Sequence, residues 1–299
     1  MKFGQKILEI GPKWHMNKQN IPTMGGFMFI IGIALAVILG GLITGTLSVH
    51  ALAILGLSAA YGAVGLVDDY AKIKKKENAG LTPRQKLVLQ ILVAAVFILV
   101  LFLESDGLPS LMIPFTGISI DLPWPVYIIF AAFVIVGADN AVNLTDGIDG
   151  LAASVTVPVA VFFAAVGARI GNTGVTIFAG ALAGGLLGFL IYNFNPAKVF
   201  MGDTGSLFLG GAVAGMAFAC DMPLILLLVG LIYIIETLSV ILQVTYFKAT
   251  HGKRLFKMAP IHHHFEMCGW GEKKIVLVFT GITVVLCLLA YHVALAPLF

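Results

Sequence analysis

A polar stretch punctuated by glycines, residues 193–206, lies between two strongly hydrophobic runs. It places the carboxylate of Asp203 next to the hydroxyl groups of Thr204 and Ser206, which can cap the first turn of a helix and leave its N-terminus open to phosphate. Oxygen ligands beside phosphates are typical of Mg²⁺, with Mn²⁺ as a substitute. The stretch therefore predicts a metal and phosphate site with Asp203 as the metal ligand. A capped helix without a ligand is the alternative, but it leaves Asn193 unexplained.

Two adjacent carboxylates, Asp68 and Asp69, close an earlier hydrophobic run. Adjacent carboxylates resist simultaneous ionisation unless a cation offsets them. Lys72 lies one helical turn beyond Asp68 and can supply that positive charge. A charged end of a membrane helix explains this motif alone equally well.

A row of polar side chains occupies residues 139–150. Asp146 and Asp149 are three residues apart and would share one side of a helical turn. Gly147 permits a close approach of the backbone, and Asn143 adds an amide. A simple turn remains an alternative, although a turn normally needs only one such unit. The row therefore favours a binding site.

Three consecutive histidines, His262, His263 and His264, precede the last hydrophobic run. In a helix they point about 100° apart, so they cannot all bind one zinc ion. Phosphate contacts or proton transfer fit them better, and a chance run in a loop is the alternative.

Glu236 is the one acid near the middle of a hydrophobic run. The sequence offers it no visible partner, so structural hydrogen bonding is favoured over catalysis.

The elements that must position these residues are membrane helices. Hydrophobic residues make up 59% of the 299 residues and charged residues 11%, against about 25% charged in soluble domains. We expect one all-α polytopic membrane domain, residues 1–299, and no nucleic-acid partner. Runs long enough to cross a bilayer give nine predicted spans: 25–47, 51–67, 87–103, 122–138, 148–168, 175–192, 204–219, 224–247 and 275–295.

The basic residues predict the orientation of these spans. With the N-terminus inside, every lysine and arginine except Arg169 lies on the cytoplasmic side, as membrane proteins prefer. The four polar stretches then share that side. The outer connection 104–123 alternates apolar residues with turn residues and predicts a small hairpin.

Carboxylates for a metal, together with lysines and histidines for phosphates, indicate phosphoryl transfer between a soluble phosphorylated donor and a lipid acceptor. A secondary transporter or lipid flippase is the alternative from another class. Such proteins hold their charges near the midplane in broken helices, often related by inverted repeats. Here the acids gather at one face, and the sequence has no evident repeat.

Five motifs, in this order, resemble those of the polyprenyl-phosphate N-acetylhexosamine 1-phosphate transferases. They cover nearly the whole chain: Pro22-Thr-Met-Gly-Gly26, Asp68-Asp-Tyr-Ala-Lys72, Asn140-Ala-Val-Asn-Leu-Thr-Asp-Gly-Ile-Asp-Gly-Leu151, Asn195-Pro-Ala-Lys-Val-Phe-Met-Gly-Asp-Thr-Gly-Ser206 and Pro260-Ile-His-His-His-Phe-Glu266. The histidine triplet favours the branch with a muramoyl-pentapeptide donor over the branch that uses UDP-N-acetylglucosamine.

The resemblance implies an enzyme of the bacterial plasma membrane with its active site at the cytoplasmic face. It would convert UDP-N-acetylmuramoyl-pentapeptide and undecaprenyl phosphate into the diphosphate-linked lipid and UMP, with Mg²⁺ required. The residues assigned to catalysis by this resemblance are Asp68, Asp69, Lys72, Asp203 and His263. Those assigned to the uridine and the rest of the groove are Lys18, Thr23, Asn143, Asp146, Gly147, Asp149, Asn193, Phe200 and His262, with Phe200 stacking on uracil.

One departure from the family concerns its first span. The family usually has ten spans, whereas residues 1–20 cannot supply a span before Pro22. We expect this to affect insertion or the contacts of a homodimer more than the chemistry.

For the reaction we expect direct attack by the lipid phosphate, with a covalent aspartyl-phosphate route ranked lower.

Overall fold

The computed structural model describes residues 18, 21–75, 80–104, 107–114, 116 and 118–295. The expectation about a missing first span falls mainly on residues outside this part of the chain. The described helices are α1 Gly26–Thr44, α2 Val49–Lys75, α3 Pro83–Glu104, α4 Trp124–Thr145, α5 Leu151–Ile170, α6 Thr173–Asn193, α7 Gly202–Ala219, α8 Leu226–Val229, α9 Leu231–Ala249, α10 Ile261–Met267 and α11 Glu272–Leu295.

Eight helices in the described part of the chain are long and apolar enough to cross a membrane, namely α1 to α6, α9 and α11. This confirms the prediction of an all-α polytopic membrane protein. The seventh predicted span, 204–219, does form a helix, α7, but α7 is not among the eight. Polar residues in its first turn, including Asp203, lower its hydropathy.

Helix α7 is the centre of the bundle. Every residue from Thr204 to Ala219 is buried, and α2 and α4 pack along it. The close approach depends on glycine: a Cβ on Gly65 of α2 would overlap the backbone carbonyl of Asp203, and one on Gly210 would overlap the Cα of Asp139 in α4. Small residues of this kind let membrane helices pack backbone to backbone. The polar ends of α2 and α4 are thereby brought to the start of α7.

The eighth predicted span, 224–247, is wrong as one continuous helix. The structure has a 3₁₀ turn, Pro223–Ile225, then the single turn of α8, and a break at Gly230 before α9. The Gly230 amide donates to the carbonyl of Leu226, and a Cβ on Gly230 would lie 2.6 Å from that oxygen. The chain therefore bends at a residue without a side chain.

The predicted hairpin between the third and fourth spans is confirmed. Strands β1 Ser110–Met112 and β2 Ser119–Asp121 pair antiparallel, with Leu111 opposite Ile120. Since α3 starts, and α4 ends, at the start of α7, the hairpin lies at the opposite end of the bundle.

Candidate active site

Three carboxylates meet where the end of α2 reaches the start of α7. Asp68, Asp69 and Asp203 each offer an oxygen atom, and these oxygens lie within 4.8 Å of one another. Asp68 and Asp69 are buried and Asp203 is half-buried. Oxygen ligands so grouped suit a hard cation such as Mg²⁺. The three residues could therefore hold a metal ion.

Two lysines balance this negative charge. The Nζ atom of Lys72 lies 2.6 Å from Asp68 Oδ2 and 3.2 Å from Asp203 Oδ2. Lys86, in the first turn of α3, lies 3.0 Å from the same Asp203 oxygen. Lys86 was not among the predicted site residues, because its only signal in the sequence is a basic residue at a helix start. Carboxylates and ammonium groups together suit the binding of phosphates and their counter-ion.

Asp69 plays a different part from Asp68. Its Oδ1 accepts a hydrogen bond from the Asp203 amide at 3.1 Å, and its Oδ2 accepts from the Thr204 amide at 2.9 Å and hydroxyl at 2.7 Å. A carboxylate from α2 thus satisfies the free N–H groups at the start of α7. The prediction that the hydroxyls of Thr204 and Ser206 cap α7 is wrong, because both hydroxyls bond elsewhere.

Asn143 connects the end of α4 to the same cluster. Its Nδ2 donates to Asp203 Oδ1 at 3.2 Å and to Ser206 Oγ at 2.7 Å, while its Oδ1 accepts from Lys86 at 3.2 Å. Asp203 is therefore held from three helices, with one oxygen facing an amide and the other facing two lysines.

Asp149 belongs to a second cluster. Its oxygens accept from Lys18 Nζ at 2.6 Å, from Asn195 Nδ2 at 3.0 Å and from the Ala197 amide at 2.9 Å. Glu272, which the sequence analysis missed, also accepts from Lys18 at 2.6 Å and from the Asp149 amide at 3.1 Å. This cluster ties the segment before α1 to the α4–α5 and α6–α7 loops and to the start of α11.

Three further predicted residues lie around the α6–α7 loop. Asn193 is buried and donates from Nδ2 to the Val199 carbonyl at 2.8 Å. Phe200 is half-buried, and its amide donates to the Pro22 carbonyl at 2.8 Å. The Thr23 hydroxyl lies beside Gly202, at the entry to α7.

The histidine rings have separate partners, as their helical spacing predicts. His262 is fully buried, with Nδ1 3.0 Å from Glu236 Oε2, and His263 Nδ1 lies 2.6 Å from Glu266 Oε2. His264 Nδ1 accepts from the backbone amide of Lys257. Glu236 thus has the partner that the sequence did not reveal.

A cavity of about 720 Å³ opens beside the carboxylates between α2, α3 and α4. Its walls combine charged groups with aliphatic side chains. The polar and charged lining residues are Asp68, Lys72, Thr82, Lys86, Gln90 and Asn140.

Asp146 follows α4 and carries an unusual charge environment. Among the described residues its carboxylate pairs with no cation, and its pKa is raised well above the ordinary value by burial and by the carboxylates of Asp203, Asp69 and Asp149. A carboxyl group with a raised folded-state pKa contributes stability that is full below its unfolded pKa of about 4 and is lost as the pH rises through the folded pKa.

We therefore expect Asp146→Asn to unfold at a higher temperature than the parent protein at alkaline pH, because the amide removes a charge disfavoured by burial and by like charges. The gap in Tm should close as the pH falls toward 4. Thermal unfolding of both proteins in detergent without divalent cations, over a range of pH, measures this difference in Tm. A gap that widens toward low pH would contradict the expectation.

Comparison with known proteins places this arrangement in a family. The family model described as glycosyl transferase family 4 matches residues 51–221. A phospho-N-acetylmuramoyl-pentapeptide-transferase of Clostridium perfringens is 50% identical over 291 residues, which are 97% of this chain and 90% of that protein. The protein of the same name from Listeria welshimeri is 47% identical over 285 residues, which are 95% of this chain and 87% of that protein. The chain therefore belongs to glycosyl transferase family 4, in the branch formed by the phospho-N-acetylmuramoyl-pentapeptide-transferases.

Proposed function

We propose that the protein transfers phospho-N-acetylmuramoyl-pentapeptide from its UDP-linked donor to undecaprenyl phosphate, releasing UMP and forming lipid I. The observation that carries the proposal is the meeting of Asp68, Asp203, Lys72 and Lys86 at one end of a membrane bundle. Relatives named for this transfer, 47–50% identical over most of the chain, support the choice of donor. The distribution of basic residues supports a cytoplasmic site in the bacterial plasma membrane.

Asp203 is the residue best suited to hold the metal ion. It is less buried than the other two acids of the cluster, and Asn143 fixes the orientation of its carboxylate. Both oxygens of Asp69 already accept backbone amides, so Asp69 acts by holding Asp203 in place. Mg²⁺ bound here would supply positive charge against the diphosphate of the donor.

The attacking group is a non-bridging oxygen of the lipid phosphate. It forms a bond to the phosphorus attached to the sugar, and the bond from that phosphorus to the UMP oxygen breaks. A phosphomonoester loses its second proton near pH 6, so at cytoplasmic pH the nucleophile is largely ionised already. Asp68 and the two lysines then orient phosphates in the cavity between α2, α3 and α4, and a strong general base is not needed.

The uridine side of the donor is assigned to the α4–α5 and α6–α7 loops. Phe200 is half-buried there and provides an aromatic face, and Asp146 is half-buried without a cation partner among the described residues. The cluster of Asp149 with Lys18 braces these loops rather than presenting a free carboxylate. His263 and Thr23 complete the polar lining, and a homodimer is the assembly expected from the family.

The transporter alternative predicts charges at the midplane of broken helices. Here the carboxylates of the cluster lie at helix ends, which favours chemistry at one face. Proton-dependent substrate uptake without chemical turnover would support transport instead.

The test is UMP release by purified protein in detergent with undecaprenyl phosphate and Mg²⁺. The muramoyl-pentapeptide donor and UDP-N-acetylglucosamine are compared in parallel, with Asp203→Ala as the inactive control. We expect release with the muramoyl donor alone, and none from the control. A preference for UDP-N-acetylglucosamine would move the protein to the sister activity, and no release with either donor from folded protein would contradict the proposal.

A further inference from the structure

Glu236 and His262 form a buried pair that the chemistry above does not use. Both side chains are fully buried, and Glu236 Oε2 lies 3.0 Å from His262 Nδ1. The same oxygen lies 3.5 Å from the His262 backbone amide, so the carboxylate holds both the ring and the start of α10. Glu236 Oε1 and His262 Nε2 have no hydrogen-bond partner within the described residues.

The other edge of the His262 ring lies under the turn that follows α4. A Cβ added to Gly147 would overlap His262 Nε2 and lie 2.5 Å from Cε1, so only glycine fits above the ring. Gly147 itself is exposed and adjoins Asp146. The imidazole therefore packs directly against the turn at Asp146 and Gly147, which the proposed function assigns to donor binding.

The partner of one imidazole nitrogen decides which nitrogen carries the proton. A carboxylate at Nδ1 favours the tautomer with Nδ1 protonated and donating, which leaves Nε2 as an acceptor. In this structure that acceptor faces the turn at Gly147.

We propose that Glu236 is a positioning residue for the donor site. It holds the His262 ring with Nδ1 protonated and with Nε2 directed toward the turn of Asp146 and Gly147. The ring in turn fixes the position of that turn relative to α10. This inference rests on the proposed function for its kinetic consequence. Its structural content, a single fixed tautomer beneath Gly147, does not depend on which donor is used.

The first experiment separates positioning from stability. Removing one member of a buried pair leaves the other unpaired and destabilises the protein, whereas replacing both by apolar residues relieves that penalty. We expect Glu236→Leu to lower the Tm and to raise the KM for the muramoyl donor about tenfold, the lower end of the losses seen when a metal-bound histidine loses its orienting carboxylate. The double variant Glu236→Leu, His262→Leu should recover the Tm and keep the raised KM.

The matched control is Ser239→Ala, a buried polar residue of α9 that donates to the Glu236 backbone carbonyl at 2.7 Å. It should leave the donor KM unchanged. Recovery of both Tm and KM in the double variant would overturn the proposal, because the pair would then serve stability alone.

A second cycle tests the contact with Gly147. Gly147→Ala should raise the donor KM in the parent protein, since the added methyl group meets the ring. In a His262→Ala background the obstacle is gone, so the same substitution should have a much smaller effect. Equal effects of Gly147→Ala in both backgrounds would contradict the proposal.

The third readout is independent of activity. In ¹⁵N NMR of histidine-labelled protein, the His262 ring, assigned by loss of its signals in His262→Leu, should have Nδ1 protonated and Nε2 not. Glu236→Leu should abolish this fixed state. A mixture of tautomers in the parent protein would overturn the proposal. A protein that fails to release UMP but has the fixed tautomer would refute the proposed function and leave the ring geometry standing.

Discussion

Asp203→Asn is expected to lower the kcat for UMP release by about 10³-fold without unfolding the protein, the upper end of losses seen when one preorganised electrostatic group is removed. The amide keeps the shape of the side chain and can still accept from Asn143. It loses the negative charge that faces Lys72 and Lys86, 3.2 and 3.0 Å away. Lys86 then loses its carboxylate partner within the described residues, whereas Lys72 keeps Asp68 at 2.6 Å, and the candidate metal site loses a charged ligand.

Two measurements check this expectation. UMP release gives kcat, and electron paramagnetic resonance of Mn²⁺ without substrate gives ion affinity, which should fall in the same variant. Asp221→Asn is the control, since Asp221 is an exposed aspartate just beyond the opposite end of α7. Asp203→Asn with a kcat within about threefold of the parent protein would rule out the central role of this carboxylate.

That Asp68, Asp69 and Asp203 lie at the same face of the bundle could be predicted, because it follows from the alternation of the spans between the two faces. Consecutive spans end at alternate faces of the membrane, and the basic residues show which loops lie on the cytoplasmic side. Stretches separated by an even number of spans must then meet at the same face. The α3–α4 hairpin could be predicted for a similar reason, because its alternation and turn residues are local signals.

The partners of individual side chains could not be predicted in the same way. Asp69 reads as a catalytic acid beside Asp68, yet α2 and α7 cross so closely that its oxygens reach the amides at the start of α7. Glu236 and His262 are 26 residues apart, and only the packing of α10 against α9 brings them together. Such contacts depend on how helices cross, which hydropathy does not encode.

The limits of hydropathy also appear in the helices. Helix α7 combines a polar first turn with the burial of every residue from Thr204 to Ala219, so protein rather than lipid surrounds it over that length. The mean hydropathy of the helix cannot distinguish a helix buried inside the protein from one that is too polar to lie in the membrane. The break before α9 occurs at one residue, Gly230, inside an apolar run. The hydropathy of the run hardly changes there, so it does not reveal the break.

Gly65→Ala is expected to destabilise the protein more than the same substitution at either of the other two glycines of α2, Gly56 and Gly62. Its Cβ would overlap the backbone carbonyl of Asp203, and backbone cannot rotate away as the end of a side chain can. Overpacking usually costs about 1–3 kcal/mol, and a rigid obstacle should place this variant at or above about 3 kcal/mol. Pushing α2 from α7 also lengthens the hydrogen bonds from Thr204 to Asp69, so activity should fall with stability.

Gly56→Ala is the matched control for that substitution, on the same helix and with the same added methyl group. Gly56 is exposed, and its added Cβ would meet nothing within 4 Å. Alanine is a better helix former than glycine by up to about 1 kcal/mol, so this variant should unfold at the same or a slightly higher temperature. Thermal unfolding in detergent and UMP release compare the two. If both variants lose stability equally, the penalty belongs to α2 itself, and the close approach of α2 to α7 at Asp203 does not hold the carboxylates together.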